Sequence, residues 1–251
     1  MVYDLQKADT WKRVSAFIFD KILVFVLAVG IAFLFSLVLD FDKYSDMYNK
    51  TVESYSEKYS VDLSISEEEY NELSDADKKQ FDDAYNVWVY DQERNYAISM
   101  ILNLSLIVLI ISSLVAYSAL EFAVPLFIGN GQTVGKKIFG VAVMRIDGVK
   151  VSPFVMFARA ILGKYTLELM LPLLLLLSIF YTGVFAPIIP VLIVLVNAGF
   201  TIFTKNHTPL HDLLASTVTV DMATQLIFDS PEALLDYKQK IHAEMADRAE
   251  Y

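Results

Sequence analysis

Apolar and polar positions along this chain fall into long blocks rather than an even mixture. The run from Ile22 to Leu39, ILVFVLAVGIAFLFSLVL, carries no charge over 18 residues. As a helix it rises about 27 Å, close to the thickness of a bilayer core. The run can be extended back to Val14. A cleaved leader would have a shorter apolar core and a small-residue cleavage site. Here Asp40-Phe41-Asp42-Lys43 follows directly, so a retained anchor is expected. A second run covers Ala97 to Leu120, broken only by Asn103 and a few serines. The third block, Thr166 to Phe203, has one acid, Glu168, and no base in 38 residues. One helix of that length would reach about 57 Å, so the block must turn. Tyr181-Thr182-Gly183, Pro187 and Pro190 mark the turn and predict two short spans, 166–182 and 186–204. A re-entrant hairpin is the alternative.

Lys and Arg near the span ends set the expected orientation. The 129–165 loop carries Lys136, Lys137, Arg145, Lys150, Arg159 and Lys164 against one acid, Asp147. Lys7, Lys12 and Arg13 precede the first span. Both segments are therefore expected in the cytoplasm. With four spans the C-terminal segment is cytoplasmic too, and residues 40–96 are extracellular.

Composition sharpens this picture. The chain is 55% hydrophobic and 20% charged, without cysteine. A disulfide scaffold, a thiolate metal site and a Cys nucleophile are excluded, and a nucleic-acid partner is not expected. The net charge of −10 belongs to one segment: residues 40–96 hold 16 acids and 6 bases. That segment has no Gly and no Pro. Phe41, Tyr44, Tyr48, Val52, Tyr55 and Tyr59 recur at helical spacing. Ser66 before three glutamates and Ser74 before Asp75 and Asp77 read as helix N-caps. A tyrosine-lined helical hairpin is predicted. Its "DADKKQ" stretch lacks the glycine and ligand pattern of a calcium loop.

Five of the nine glycines lie in the cytoplasmic loop: Gly129, Gly131, Gly135, Gly140 and Gly148. "KIFGVAVMRIDGVKVS" predicts two strands joined at Asp147-Gly148, and residues 217–222 could add a third. Ser152-Pro153 predicts the start of an interfacial helix, with Phe154, Phe157 and Ile161 opposite Arg159 and Lys164. Ser230-Pro231 opens a C-terminal surface helix. The expected division is 1–39, 40–96, 97–128, 129–165, 166–204 and 205–251.

Candidate chemistry is sparse. Gly131 to Lys137 resembles a phosphate loop, but the glycine spacing is one short and a strand is expected after it. His207 and His211 share a helical spacing, yet Pro209 lies between them and a zinc site needs more ligands. No serine sits in a G-x-S-x-G elbow. No catalytic set, metal site or cofactor is expected, and the protein is not expected to be an enzyme. The sharper signal is ionisable groups within spans, which are costly unless paired or hydrated. Asp20, Lys21, Glu121 and Glu168 all fall near inner span ends, and Arg13 shares a helix face with Asp20. They form either an ion-pair cluster that fixes helix packing or a carboxylate-lined proton or cation path.

These residues carry a resemblance. Arg13-x-x-Ala16-x-x-x-Asp20, then "GQTVGKKIFGVAVMRIDG" over 131–148, then Arg159, and LHDLLA over 210–215 before Thr217, Thr219 and Val220, resemble the RDD family. These are bacterial integral membrane proteins named for one arginine and two aspartates. The match places them at Arg13, Asp20 and Asp212, with Gly131, Gln132, Thr133, Gly135, Lys136, Asp147, Gly148 and Arg159 in the surrounding motif. The 40–96 hairpin is longer than the connection the family implies and looks like an insertion. Some members are associated with cation/proton antiport, so the resemblance implies transport without specifying a substrate.

The expected fold is an all-α membrane protein of four spans, with an extracellular helical hairpin and a small cytoplasmic β-hairpin element, in the bacterial cytoplasmic membrane. The expected function is exchange of a small cation or solute for protons. Asp20 would hold the proton or cation, tuned by Arg13, with His211 and Asp212 at the inner mouth. The alternative is a non-transporting scaffold or regulatory subunit that binds a partner through the hairpin or the β element. Either reading favours a homo-oligomer or a membrane partner protein.

Overall fold

The structure is a computed structural model and describes residues 5–177, 188–203 and 208–249. Among these residues three helices are long and apolar enough to cross a membrane: α1 (Thr10–Val38), α5 (Gln92–Ile128) and α7 (Pro153–Leu177). Their apolar side chains face outward. Phe25 and Phe33 of α1, for example, are 68% and 64% exposed. Continuous apolar surface of this kind is rare on soluble monomers and suits lipid contact. The segment expected to hold a fourth span contains a shorter apolar helix, α8 (Ile188–Phe203), of 16 residues. That is about 24 Å of rise, under the usual spanning length. The expected turn residues Tyr181, Thr182, Gly183 and Pro187, and His207, lie outside the described residues.

The chain divides into two units, one of residues 29–112 and one of the chain before and after them. The 29–112 unit contains the helices α2 (Phe41–Tyr59), α3 (Glu67–Glu72) and α4 (Asp75–Trp88). The helical stripe that begins at Phe41 does not run straight out of α1. Asp40 breaks it in the left-handed region, with φ of 49°, a conformation that Asp tolerates better than most residues. Ser66 and Glu69 form a reciprocal capping box at α3, and the Ser74 hydroxyl accepts from the Asp77 amide at α4. Trp88, Ala84 and Leu63 are buried, with Tyr48, Val52, Tyr55, Tyr59 and Phe81 packed around them. The Trp88 indole donates to Thr51 Oγ1 at 3.2 Å, and the Arg94 guanidinium lies 4.3 Å from the Trp88 ring centroid.

The other unit is built around α7 and a two-stranded antiparallel sheet. Strand β1 (Val141–Arg145) pairs with β2 (Thr217–Asp221) in the register Val143↔Thr219. Both faces are buried; Ala142, Met144, Val218 and Val220 form one of them, with Leu5 and Ile227 packed on it. The Asp147-Gly148 turn is present, since the Gly148 amide donates to the Arg145 carbonyl at 3.0 Å. The second arm of the expected hairpin is reduced to bridges, Met144↔Lys150 and Val149↔Phe228. The start of the strand expected from Lys137 is likewise replaced by a short helix, α6 (Val134–Ile138), before β1 starts. Thr133 explains the change: its hydroxyl accepts from the Lys136 amide at 3.3 Å and caps that turn. The C-terminal helix α10 (Pro231–Ala249) follows β2, with α9 (Leu210–Leu214) before it.

The expected division at residue 165 is not where the structure divides. Ser152 caps α7 as the sequence implies, but the helix continues without a break from Pro153 to Leu177. Residues 158–170 of α7 and 118–123 of α5 are wound as π-helix. The wider winding changes which side chains share a face. In an α-helix, residues five and nine positions apart are about 140° and 180° apart. With i→i+5 bonding and roughly 4.4 residues per turn, the same offsets close to within roughly 50°. Arg159, Lys164 and Glu168 have this spacing. The π winding therefore brings Arg159 onto the side of Lys164 and Glu168, from which α-helical spacing would separate it. All three line one cavity, so an interfacial helix presenting Arg159 and Lys164 to water is not what forms.

Candidate functional site

The site is a cavity of about 750 Å³ among α1, α5, α7, α8 and α9 and the loop before α6. Arg13, Asp20, Glu121, Glu168, His211 and Asp212, the charged residues singled out from the sequence, all line it. Lys21, Lys136, Lys164, Arg159, Tyr117 and Asn197 join them.

Asp20 is buried on α1 and is held by the loop that leads into α6. The Gly135 amide donates to Oδ1 at 2.8 Å and the Thr133 hydroxyl donates to Oδ2. Lys136 Nζ lies 3.7 Å from Oδ2. Gly135 is required by this approach: a Cβ there would fall 2.6 Å from the Ala16 carbonyl oxygen and 2.9 Å from Asp20 Oδ1. Two elements of the sequence motif, Ala16-x-x-x-Asp20 and Thr133-Val134-Gly135-Lys136, are thus one contact. Gln132 braces the loop by donating to the Val141 carbonyl at 2.8 Å. Gly131 has φ of 60° and packs its bare Cα against Val143. Asp147 and Gly148 belong instead to the exposed turn, where Arg145 donates to Asp147 at 2.6 Å.

A second set links α7 to α9. Arg159 Nε donates to Asp212 Oδ1 at 2.6 Å, with both side chains 2% exposed. Thr217 Oγ1 donates to the same oxygen at 2.6 Å and Thr219 Oγ1 to Oδ2 at 3.3 Å. Arg13 lies within electrostatic range of both Asp212 and Arg159, but the close guanidinium partner of Asp212 is Arg159. His211 Nδ1 lies 2.9 Å and 3.0 Å from the two Glu168 oxygens, and its backbone amide donates to Glu168 Oε1 at 3.0 Å. Arg159 Nη2 is 3.3 Å from His211 Nε2. A guanidinium only donates and a carboxylate only accepts, so donor logic assigns the ring proton to Nδ1. Gly163 makes room for this packing, because a Cβ there would fall 2.6 Å from His211 Cβ.

The third contact joins the two π segments. Lys164 Nζ donates to Glu121 Oε2 at 2.5 Å, and the two side chains are 5% and 1% exposed. The other carboxylate oxygen, Glu121 Oε1, is buried and has no hydrogen-bond partner among the described residues. Lys21 Nζ donates to the Tyr117 hydroxyl at 2.5 Å and lies over the Tyr117 and Phe17 rings.

Outside the spans, the electrostatics follow from burial and neighbours. Burial and the nearby Lys164 ammonium push the Lys136 amine down to about 7, against the pull of Glu121. Burial also lowers the His211 imidazole, although Asp212 and Glu168 oppose it. Burial alone would raise the Asp212 carboxyl; Arg159 and the Thr217 hydroxyl outweigh it and hold it well below the usual carboxylate range. His211 is therefore neutral and Asp212 ionised at neutral pH. No group of three or more potential metal ligands clusters among the described residues.

Sequence reasoning left two participants in the background. By its sequence context Lys164 is a topogenic charge on an exposed helix face. Tyr117 drew no notice, because a tyrosine in an apolar run looks like packing; its four-residue spacing from Glu121 was the available signal.

No match is found among curated proteins or among solved structures. Residues 7–216 do match a family model, a range that takes in α1, the Asp20–Gly135 contact, the α7 charges and the His211-Asp212 pair. On that match the chain belongs to the RDD family.

Proposed function

We propose that this membrane protein moves a small solute across the bilayer in exchange for protons, through the cavity bounded by α1, α5 and α7. The observation that carries this reading is a cavity of about 750 Å³ walled by buried ionisable groups, a combination that marks ion and substrate pathways in membrane proteins. Its size fits a small organic molecule. Proton-holding groups stand on several walls: the Glu121–Lys164 pair, the Glu168–His211 pair and Lys136. Asp20, whose oxygens are taken by Thr133, Gly135 and Lys136, is better suited to fixing the α6 loop than to exchanging a cation. The proton-exchanging role falls to Glu121, which keeps one buried oxygen without a partner among the described residues.

In this reading both termini and Lys136 face the cytoplasm and Tyr59 faces outside, in a bacterial cytoplasmic membrane. Single-cysteine labelling tests this in a chain that has no cysteine of its own. An impermeant thiol reagent should react with Tyr59→Cys and not with Lys137→Cys, at an exposed position beside Lys136, in intact cells.

The test of function is the purified chain in liposomes with an internal pH dye. Solute addition should drive proton flux that Glu121→Gln abolishes. Flux that persists unchanged in Glu121→Gln rejects the mechanism. The second reading, a scaffold or regulatory subunit for a partner protein or a second copy, is favoured by the pairing of Asp20, Asp212 and Glu168 with bases. It would be supported by a complete absence of solute-dependent flux together with co-purification of a stoichiometric partner.

A further inference from the structure

Resting on the transport reading, we infer that the cavity binds a zwitterion, with a primary ammonium against Glu121 Oε1 and an anionic group against Lys21 Nζ. Both groups line the cavity wall and keep bonding capacity among the described residues. Glu121 Oε1 is buried and without a partner among the described residues. Lys21 offers three N–H donors, and its contacts among the described residues are one hydroxyl and two ring faces. Glu121 and Lys21 act on each other electrostatically, yet Glu121 gives its close ion pair to Lys164.

A bare metal cation fits this wall poorly. At Glu121 Oε1 it would sit in the field of Lys164, Lys136 and Lys21, all of which bear on that carboxylate. It would also find no second carboxylate without donors, since Asp212, Asp20 and Glu168 already accept from their neighbours. A simple anion satisfies Lys21 and leaves Glu121 bare. A molecule with both charges satisfies both and adds no net charge to the cavity. Val14, Phe17, Leu169 and Ile202 give the wall an apolar part beside polar Asn197 and Thr201, so the occupant has an apolar portion as well. An amino acid with an apolar side chain meets these requirements. So does the ammonium–phosphate head of a phospholipid entering from the bilayer.

The test titrates the full chain, in lipid-free detergent, by calorimetry with leucine and with its two single-charge analogues, 3-methylbutylamine and 4-methylpentanoate, and with sodium chloride. Leucine should bind at least tenfold more tightly than either analogue. Glu121→Gln should weaken leucine and the amine while sparing the carboxylate, and Lys21→Gln should do the reverse. If Glu121→Gln does not fold, the Lys21→Gln arm still decides. In a parallel arm, native mass spectrometry follows retention of phosphatidylethanolamine. Retention lost in Lys21→Gln, without leucine binding, supports the same chemistry supplied by lipid. Saturation by sodium chloride, equal binding of a single-charge analogue, or no zwitterion bound in either arm overturns the inference. Leucine binding without any liposome flux keeps the site and rejects transport, whereas proton exchange with a different solute and no zwitterion binding rejects only the ligand class.

Discussion

Arg159 and Asp212 meet at 2.6 Å, each 98% withdrawn from solvent, and tie α7 to α9, just before strand β2. Thr217 and Thr219 of that strand complete the Asp212 shell. Charges buried this deeply persist only when paired, and breaking one partner of such a pair typically costs about 3–5 kcal/mol. Asp212→Asn should therefore lower the thermal unfolding midpoint sharply, and Arg159→Lys nearly as much, because Lys cannot reproduce the planar fork of donors. Replacing both with Leu and Met should recover part of the loss. Unfolding followed by intrinsic fluorescence in detergent gives the comparison. Single variants as stable as the parent would show that the pair holds nothing together.

The glycines make a separate and purely steric prediction. Gly135→Ala would bring a methyl within 2.6 Å of a backbone oxygen, and Gly163→Ala one within 2.6 Å of His211 Cβ. Neither neighbour is the free end of a flexible chain. Each substitution should destabilise by roughly 1–3 kcal/mol and reduce the monodisperse fraction on size-exclusion chromatography. Gly30→Ala is the control, since a Cβ there meets nothing within 4 Å, and it should behave as the parent.

Much of this arrangement was legible before any coordinates. Spans one and two follow from uninterrupted apolar runs, and the caps at Ser66, Ser74 and Ser152 follow from side-chain chemistry. The six charged candidates also converge on one cavity. What could not be read was the winding. With α-helical spacing, Arg159 falls opposite Phe157 and about 140° away from Lys164, so the mixed charges and aromatics spell an interfacial helix; π winding brings Arg159 round to Lys164 and turns both inward. Nor could local pattern show that Thr133 would cap a helical turn rather than enter a strand. That turn is stabilised by Asp20, 113 positions away in the chain, a contact invisible to short-range patterning.

Acid sensitivity follows from the Lys136 and His211 shifts. Lys136 is pushed down to about 7 in the fold by burial and Lys164, while an unfolded lysine titrates near 10.4. Between those values the unfolded chain holds more protons, so stability rises with pH across roughly 7 to 10. His211 is also lowered, so charging it as pH falls below its ordinary range near 6.5 favours the unfolded chain as well. Both terms make the protein weaker in acid than at pH 8. Lys136→Met should flatten the rise between pH 7 and 10 while leaving the loss below 6.5 in place. Unfolding midpoints measured from pH 5 to 10 for the two proteins check the sign, and a rise between 7 and 10 that Lys136→Met leaves untouched would remove Lys136 as its source.

The last prediction concerns the acidic segment, which has a core of its own. Trp88 is 4% exposed, hydrogen-bonded to Thr51, packed at a tilt against Tyr48 and Tyr85, and covered by Arg94. Truncating a buried tryptophan usually costs about 3–5 kcal/mol. Almost everything Trp88 touches lies between residues 48 and 94, so the loss should be local. Trp88→Ala should raise amide hydrogen exchange across α2 and α4 by orders of magnitude. Exchange in β1, β2 and α9 should change little, because Met144, Val218 and His211 are held by a different set of contacts. Hydrogen exchange read peptide by peptide separates the two outcomes. If β1 and β2 lose protection together with α2, the two units unfold as one, and the acidic segment is part of the cooperative core rather than a self-supporting addition to it.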